Sequence, residues 1–438
     1  MPQTWLEPGS ERLRRAVKFV LASYGTRGDV EPYVAVGREL LRRGHDVSMA
    51  VSPDQVGFAE SAGLAAVAYG PDTRRWQEVH RDFLTRLSRK FWQIQDLIRR
   101  GREDWELITQ FWEETITTLT SLTDGADLLF TGVLGEEPAA NIAEYYDIPF
   151  ATMHYFPLRP NSQLVPTLLA PVGRSAMTMS EWLVWPVTKK LEDAQRRELG
   201  LAKSRSPSPR RIAERGSLEI QAYDEVCVPG LAAEWAKFEG RRPFVGALTM
   251  ELATDADEEV ASWIAAGTPP IFFGFGSMPV ESAVDTLAMI SSACAELGER
   301  ALVCSGWSDF SHVPHFDHVK VVETMNYAAA FPACRAVVHH GGVGTTAAGL
   351  RAGVPTLILW TWADQKLWAT QVERLKVGSA RRFSATTQES LVEDLRTILS
   401  PQCVAPAREI ATRMTKPAES VAAAADLVEV FARLGRVG

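Results

Sequence analysis

Short apolar runs alternate with amphipathic stretches along most of this chain. The runs 16–24 (AVKFVLASY) and 46–52 (DVSMAVS) predict buried strands. Between them, Pro32 and Gly44 bracket a predicted helix over 31–43. Alternation of this kind is typical of a doubly wound parallel sheet, in which ligands gather at the carboxyl ends of the strands.

The second half of the chain repeats the pattern. Apolar runs at 271–276 (IFFGFG) and 356–359 predict further strands, again separated by helical sequence. At 438 residues the chain is too long for one ordinary domain. We therefore expect one α/β domain over 16–246, a second over 258–415, and a final helical segment over 416–438.

The stretch after the apolar run 336–338 carries the most specific chemistry. Two histidines and a glycine-rich turn follow the predicted strand end, and a helix (TTAAGLRA) begins after them. A turn of this kind presents backbone N–H groups and a helix N-terminus to an anion. It has neither the lysine of a P-loop nor the third glycine of GxGxxG. The stretch predicts a phosphate site of another type.

The sequence HHGGVGTTAAGLRAGVP, followed by ADQ, resembles the donor-binding signature of the family 1 glycosyltransferases. It is most similar to the branch with sterol 3β-glucosyltransferases, glycopeptide-antibiotic enzymes and actinobacterial glycopeptidolipid glycosyltransferases. GTRGDVEP at 25–32 and FFGFGSMP at 272–279 resemble the same branch. The resemblance implies the GT-B fold, in which two Rossmann-like domains face each other across a cleft. The first would bind the acceptor and the second the nucleotide sugar, and the last helix would cross back to the first domain.

The resemblance also implies roles for individual residues. Asp29 stands where this branch carries its general base, although position alone also suits a turn or helix-cap aspartate. His339 would act on the leaving phosphate, while His340 would be either a second phosphate contact or, in the preferred interpretation, a packed neighbour. Asp364 and Gln365 would bind the sugar hydroxyls. The predicted phosphate-binding set is Ser277, His339, Gly341, Gly342, Gly344, Thr345 and Thr346.

Other predicted contacts are less specific. For the nucleotide base they are Trp307, Met325 and Asn326; for the acceptor they are Gly28, Trp92, His154 and Trp362. A tryptophan at a domain interface and a structural histidine at a strand end are open alternatives for Trp307 and His154. Nine Lys/Arg against three Asp/Glu between residues 74 and 102 make 74–119 a solvated helix pair or a membrane contact.

Composition narrows the function further. A net charge of −8 argues against nucleic acid as a partner. Five cysteines without CxxC spacing indicate buried thiols in a reducing compartment. The first 15 residues lack the apolar core of a signal peptide, so we expect a cytoplasmic protein, with peripheral membrane contact as an option. The acidic run 254–259 is explained by helix capping, and no metal or other cofactor is expected.

Together these features predict an inverting, metal-independent glycosyltransferase. It would move a hexose or 6-deoxyhexose from a UDP- or dTDP-sugar to a hydroxyl of a lipid, glycopeptidolipid-like or other apolar acceptor. Indoles at Trp360 and Trp362 would favour a deoxy sugar such as rhamnose or 6-deoxytalose. The alternatives are a UDP-glucose-dependent sterol or macrocycle glucosyltransferase, a catalytically silent nucleotide-sugar-binding protein, and an epimerase of similar architecture.

Overall fold

The computed structural model describes residues 15–79, 94–164, 170–238, 240–276, 282–308, 310 and 313–435. The strands of the first half are β1 (Lys18–Ser23), β2 (Asp46–Val51), β3 (Ala65–Ala68), β4 (Leu128–Gly132), β5 (Phe150–His154) and β6 (Leu218–Gln221). Around them lie helices α1 (Arg27–Arg42), α2 (Val56–Ser61), α3 (Ile94–Thr123), α4 (Glu136–Tyr145), α5 (Ala170–Glu198), α6 (Ser208–Glu214) and α7 (Leu231–Trp235).

The second half is built in the same way. Its strands are β7 (Ile271–Gly274), β8 (Ala301–Cys304), β9 (Val319–Val322), β10 (Ala336–His339), β11 (Thr356–Trp360) and β12 (Gly378–Arg382). Its helices include α8 (Asp257–Ala265), α9 (Ala283–Leu297), α10 (Tyr327–Ala330), α11 (Val343–Ala352), α12 (Ala363–Arg374), α13 (Gln388–Ile398), α14 (Pro401–Ala411) and α15 (Pro417–Leu434).

Each half contains a six-stranded parallel sheet. The strand orders are β3-β2-β1-β4-β5-β6 and β12-β11-β10-β7-β8-β9. The order reverses beside β1 in the first sheet and beside β10 in the second, and such reversals open a crevice at the carboxyl ends of the strands. The predicted doubly wound α/β class is therefore confirmed. All five cysteines are buried free thiols, as predicted.

The last helix completes the core of the first half. Ala424, Ala425, Val428 and Ala432 of α15 are buried in the same apolar cluster as β1 and α1. On its outer side the helix is held by Arg43, whose guanidinium lies 2.6 Å from a carboxylate oxygen of Asp426. The C-terminal segment thus belongs structurally to the first sheet, although it follows the second in sequence.

Arg351 on α11 ties the two halves together near their connection. Its guanidinium donates to the carbonyl of Ala247 (2.6 Å) and to the hydroxyl of Thr249 (3.0 Å) in the linker. It also donates to the carbonyl of Thr415, just before α15 (2.8 Å). One side chain therefore fixes both chain crossings between the halves.

Two local predictions are wrong. Helix α1 begins at Arg27 and not near Glu31, because Thr26 and Asp29 form a capping box one turn earlier. The composition of the stretch 203–211 (KSRSPSPRR), rich in Ser, Pro and Arg, predicts a mobile loop and not a folded element. In the structure, α6 begins within it at Ser208, with Pro207 before its first turn. Proline is well tolerated at such a helix start. Among the described residues, no helix has both the length and the apolar character needed to span a membrane.

Candidate active site

A cleft of about 3060 Å³ separates the two halves, and residues of both halves line it. The turn after β1 (Gly25 to Asp29) lies on one wall. The turn after β10 (His340 to Thr345) lies on the other. The two strand ends at which the sheet orders reverse therefore open into a single space.

Asp29 is the third residue of α1, and its side chain turns back to cap that helix. Its Oδ2 accepts hydrogen bonds from the N–H of Thr26 (2.8 Å) and the hydroxyl of Thr26 (3.0 Å). Gly25 makes this geometry accessible, since its φ is +136° and an added Cβ would lie 2.4 Å from Oδ2. The carboxylate is thereby fixed at the edge of the cleft.

The backbone under Asp29 is held by two hydroxyl groups. Its carbonyl oxygen accepts from Ser23 Oγ (2.8 Å) and from Tyr155 Oη (2.7 Å). Ser52 closes the turn from the neighbouring strand, accepting from the N–H of Gly25 and donating to its carbonyl. Three strands thus fix the position of this acid.

Burial raises the pKa of Asp29 to about 6, against a weaker opposing effect of the Thr26 hydrogen bonds. The negative charge of Asp364 on the opposite half also raises it. A carboxylate with this pKa is mostly ionised at pH 7 yet binds a proton more readily than an ordinary aspartate. Asp29 therefore has the properties of a general base.

His340, and not His339, lies on the cleft wall. His339 ends β10 and is fully buried, and its Nδ1 accepts the N–H of Gly341 (2.9 Å). Desolvation holds the pKa of His339 far below its usual range, so the ring is neutral. His339, predicted to act on the phosphate, is therefore buried beneath the turn and is not on the cleft wall. His340, the first residue beyond the strand, lines the cleft.

Two glycines make room for the His340 ring. A Cβ on Gly276 or on Gly342 would come within 2.7 Å of a ring atom. Burial lowers the pKa of His340 to about 4, so the imidazole is neutral at pH 7 and has one N–H to donate. Glycines in FGFG and HHGG are thus a sequence signal for the cleft-facing histidine.

The glycine-rich turn continues into the first turn of α11. Gly341 has φ +98°, and Gly342 to Thr345 line the cleft. Thr345 and Thr346 differ, because Thr346 is buried and its hydroxyl donates to the carbonyl of Gly342 (2.8 Å). Of the two threonines predicted to bind phosphate, Thr345 is the one on the cleft wall.

Asp364 and Gln365 lie beside this turn, at the start of α12. Gln365 is buried, and its Oε1 accepts the N–H groups of Thr361 (2.8 Å) and Trp362 (3.0 Å). Asp364 is exposed to the cleft, which Trp362 also lines. Trp360 instead packs under the cations of Lys366 and Arg382 and is not on the wall.

The predicted base-binding residues form another part of the same wall. Trp307, Met325 and Asn326 all line the cleft. Arg74 of the first half places its guanidinium 5.0 Å from the ring centre of Trp307, a cation–π contact that spans the cleft. Trp307 therefore contacts both halves, which agrees with its alternative interpretation as a tryptophan at the domain interface.

The four predicted acceptor residues do not all lie on the cleft wall. Gly28 and Trp362 line the cleft, whereas Trp92, like the predicted phosphate ligand Ser277, lies outside the described residues. His154 is fully buried, 3.1 Å from a carboxylate oxygen of Glu136, in a network that continues through Arg159. The following residues, Tyr155 and Phe156, reach the wall in its place.

The acidic run 254–259 does not resemble a metal site. Asp257 accepts from the N–H and hydroxyl of Thr254 (2.9 and 2.7 Å) and from the N–H of Asn326 (2.8 Å). Its carboxylate is thereby used in the turn that precedes α8 and in a contact with the segment before α10, not in a side-chain cap of α8. No group of three or more potential metal ligands occurs among the described residues.

Comparison with known proteins agrees with this geometry. Residues 19–108 match the glycosyltransferase family 28 N-terminal domain, and residues 285–434 match the erythromycin biosynthesis protein CIII-like C-terminal domain. An uncharacterized glycosyltransferase of Mycobacterium tuberculosis is 60% identical over 426 residues, covering 96% of this chain and 100% of that protein. A sterol 3-beta-glucosyltransferase of Arabidopsis thaliana is 27% identical over 433 residues, covering 94% of this chain and 67% of the plant protein.

Solved structures show the same fold at lower sequence identity. The glycotransferase of kitacinnamycin superposes with a TM-score of 0.69 at 17% identity, covering 95% of this chain and 99% of that one. CalG4, the calicheamicin glycosyltransferase, superposes with a TM-score of 0.65 at 18% identity, covering 97% of this chain and 100% of that one. The chain has the GT-B fold. It belongs to the family 1 glycosyltransferases and is a glycosyltransferase enzyme, as the sequence predicts.

Proposed function

We propose that this enzyme is an inverting, metal-independent glycosyltransferase that moves a hexose or 6-deoxyhexose from a UDP- or dTDP-sugar to a hydroxyl of an apolar acceptor. The observation that carries the proposal is the placement of Asp29 and the His340–Thr345 turn on the two walls of one cleft. A base and a leaving-group site are what glycosyl transfer requires.

The leaving diphosphate is assigned to the turn after β10. Negative charge develops on it during transfer, and preorganised donors stabilise such charge most effectively. The donors available are the His340 imidazole, the N–H groups of Gly342 to Thr345 and the N-terminus of α11. Together these groups give the site a means of holding a diphosphate without a cation.

Proton removal from the acceptor is assigned to Asp29. Its fixed carboxylate would accept the proton of the attacking hydroxyl while the diphosphate departs on the other side of the anomeric carbon. Attack and departure on opposite faces invert the configuration at that carbon. Positioning matters most here, since a general base must lie within hydrogen-bond reach of the hydroxyl.

The sugar and base of the donor are assigned to the remaining wall of the second half. Asp364 and the free amide group of Gln365 would bind sugar hydroxyls, and Trp307, Met325 and Asn326 would surround the base. A thymidine nucleotide is supported by VinC, whose structure contains dTDP and matches with a TM-score of 0.60, at 18% identity over 96% of this chain and 100% of VinC. Trp362 is the indole that would favour a deoxy sugar.

An apolar acceptor is supported by the first half. Trp76, Leu134 and Phe156 contribute aromatic and aliphatic surface to the cleft. Burial of such surface favours acceptors with a large hydrocarbon part. The plant relative acts on sterols, as its name states.

The test is nucleoside diphosphate release from UDP-glucose, dTDP-rhamnose and dTDP-6-deoxytalose, each with and without EDTA. The proposal expects turnover that survives EDTA and is lost in Asp29→Ala. Preference for UDP-glucose with a sterol acceptor would instead establish a sterol-type glucosyltransferase. A requirement for metal would overturn the metal-independent mechanism. Donor binding without turnover of any donor would identify a silent nucleotide-sugar-binding protein.

A further inference from the structure

Helix α5 carries an unusual concentration of exposed apolar side chains. Of the thirteen large apolar residues exposed in the described part of the chain, six lie on α5, with exposures between 40% and 70%. They are Val172, Met179, Trp182, Leu183, Val184 and Val187. Contiguous apolar surface of this kind marks a binding face in soluble proteins.

The spacing of these residues makes one continuous face. Val172, Met179, Leu183 and Val187 follow each other at seven, four and four residues, which places them along one side of a helix. The opposite side of α5 is anchored to the domain. Gln195 donates to the carbonyl of Pro138 (2.9 Å), and Arg196 lies 2.9 Å from Glu144. The apolar face is therefore presented outward by a firmly attached helix.

Cations border the carboxyl end of this face. Lys190, Lys203 and Arg205 are exposed, and no ion pair joins any of them to another described residue. The 203–205 loop is held against α5, because Lys189 Nζ donates to the carbonyl of Ser204 (3.0 Å). These three charges are opposite in sign to the net charge of −8.

Nearby acids do not neutralise this border. Asp193 lies 3.0 Å from Lys189 Nζ and accepts from Ser204. Glu181 is partly buried, and the charges that act on it belong to the buried network of Arg159 and Glu136. Arg197 and Glu198, about two turns further along α5, are both exposed and opposite in charge, so the outer surface beside the apolar face is positive overall.

We propose that the apolar face of α5 and its cationic border bind the surface of a membrane containing anionic lipids. Amphipathic helices with apolar and basic residues arranged in this way lie in the membrane interface. Each Lys or Arg near an anionic surface adds to the attraction. A second copy of the chain suits the face less well. Residues 170–180, at the Val172 end, contain no Asp or Glu that could pair with the cations of a partner, and Arg174 there is already paired with Glu234.

This placement differs from the one the sequence indicates. Residues 80–93 of the basic stretch 74–119, a candidate membrane contact by composition, lie outside the described residues. The described part of α3 buries Leu107, Phe111, Trp112 and Leu119 in the domain. By contrast, α5 buries none of the six residues of its apolar face. Tyr155 and Phe156 line the cleft wall, and five residues after Phe156 the N–H of Asn161 donates to Met177 Sδ of α5 (3.4 Å).

The experiment measures cosedimentation of the full chain with phosphatidylcholine vesicles, with and without phosphatidylglycerol. We expect retention on the anionic vesicles that declines with salt. Leu183→Ser with Val187→Ser is expected to lower the partition coefficient at least about tenfold. The matched control, Val430→Ser with Leu434→Ser on α15, removes exposed apolar groups elsewhere and should leave it unchanged.

A second pair of variants tests the charges. Lys190→Gln, Lys203→Gln and Arg205→Gln together are expected to lower binding to anionic vesicles about 100-fold. Arg38→Gln, Arg408→Gln and Arg413→Gln remove the same charge from other exposed sites. Absence of retention at low salt, or equal losses in test and control variants, would overturn the proposal. So would a dimer, seen by light scattering, that the α5 apolar variant dissociates.

The membrane proposal is independent of the proposed reaction. None of the substituted residues lines the cleft, so donor turnover without vesicles should be the same in all these variants. Loss of vesicle binding with unchanged turnover would separate the two functions.

Discussion

The turns after β1 and β10 occupy the same place in two similar sheets, yet they are built by opposite means. Each follows the third strand in the sheet order and leads into a helix. The turn after β1 holds one acid with side-chain hydroxyls: Thr26 donates to the Asp29 carboxylate, and Ser23 and Tyr155 donate to the Asp29 backbone carbonyl. The turn after β10 instead contains three residues without side chains, Gly341, Gly342 and Gly344, and so exposes its backbone.

The difference follows from the charge that each turn is assigned. A base must keep a negative group close to a hydroxyl, and a surrounding of low polarity makes that group more basic. A phosphate site needs many weak donors at short range, which bare backbone and a helix N-terminus supply. The same position in the fold can therefore hold either a charged side chain or a turn whose backbone N–H groups bind an anion.

Removing the carboxylate is expected to have the largest effect. Asp29→Ala should lower kcat by about 10²–10⁴-fold, the range for loss of a general base. The dissociation constant of the donor should change little, because the turn assigned to the diphosphate, His340 to Thr345, is on the other half. Titration calorimetry with the nucleoside diphosphate and steady-state kinetics measure the two quantities. Equal losses in binding and kcat would contradict the separation of roles.

Variants of the two histidines compare the buried side of the turn after β10 with the side that faces the cleft. His340→Ala removes a donor on the cleft wall and is expected to lower kcat by about 10²–10³-fold. His339→Ala removes a buried acceptor of the Gly341 N–H, so its main effect should be a lower melting temperature. A His339 variant with normal stability and the larger kinetic loss would restore the assignment that the sequence suggests.

Two glycines with positive φ test the Asp29 turn. Gly25→Ala would place a Cβ 2.4 Å from the Asp29 carboxylate, whereas Gly44→Ala meets no atom within 4 Å. Both substitutions strain the backbone, so their common effect is on stability. Only Gly25→Ala should displace the base, and a displacement of about 1 Å can cost about 10²-fold in kcat. Similar kinetics for the two variants would show that the carboxylate position is not critical.

A change of pH is the mildest test, because it alters no residue. The pH profile of kcat/KM should show separate contributions from Asp29 and His340. The base must be deprotonated, and the pKa of Asp29 is raised to about 6, so kcat/KM is expected to fall as pH drops through 6. Below that value the loss should approach tenfold per pH unit. His340, with a pKa near 4, would produce a limb at lower pH. A profile that stays flat to pH 5 would argue against Asp29 as the base.

The sequence predicts where the two turns lie but not how their side chains point. Apolar runs that end at glycines locate the ends of β1 and β10, since a strand buried on both faces has a simple pattern. Which of two adjacent histidines faces the cleft depends on the strand end and on space cleared by Gly276, far away in sequence. The pKa of Asp29 depends on burial in the folded chain and on the charge of Asp364 on the other half, which no local pattern contains.

The same limit explains the differences at His154 and Thr346. Both lie in the expected element, and the side chains of both are turned inward by a hydrogen-bond partner. His154 meets Glu136, eighteen residues away, whereas Thr346 meets the carbonyl of Gly342, the residue just before its own helix. Residue type and position are sufficient to locate the walls of the cleft, while local and distant hydrogen bonds decide which side chains reach it.

The return of α15 to the first sheet constrains how this enzyme can be dissected. A fragment ending at the linker near Gly246 would lack Ala424, Ala425 and Val428, and the apolar surface they cover on β1 and α1 would face water. The complementary fragment would keep a helix whose buried face has no partner. The first half is therefore a discontinuous unit of the chain, and an isolated version of it would need α15 grafted behind residue 246.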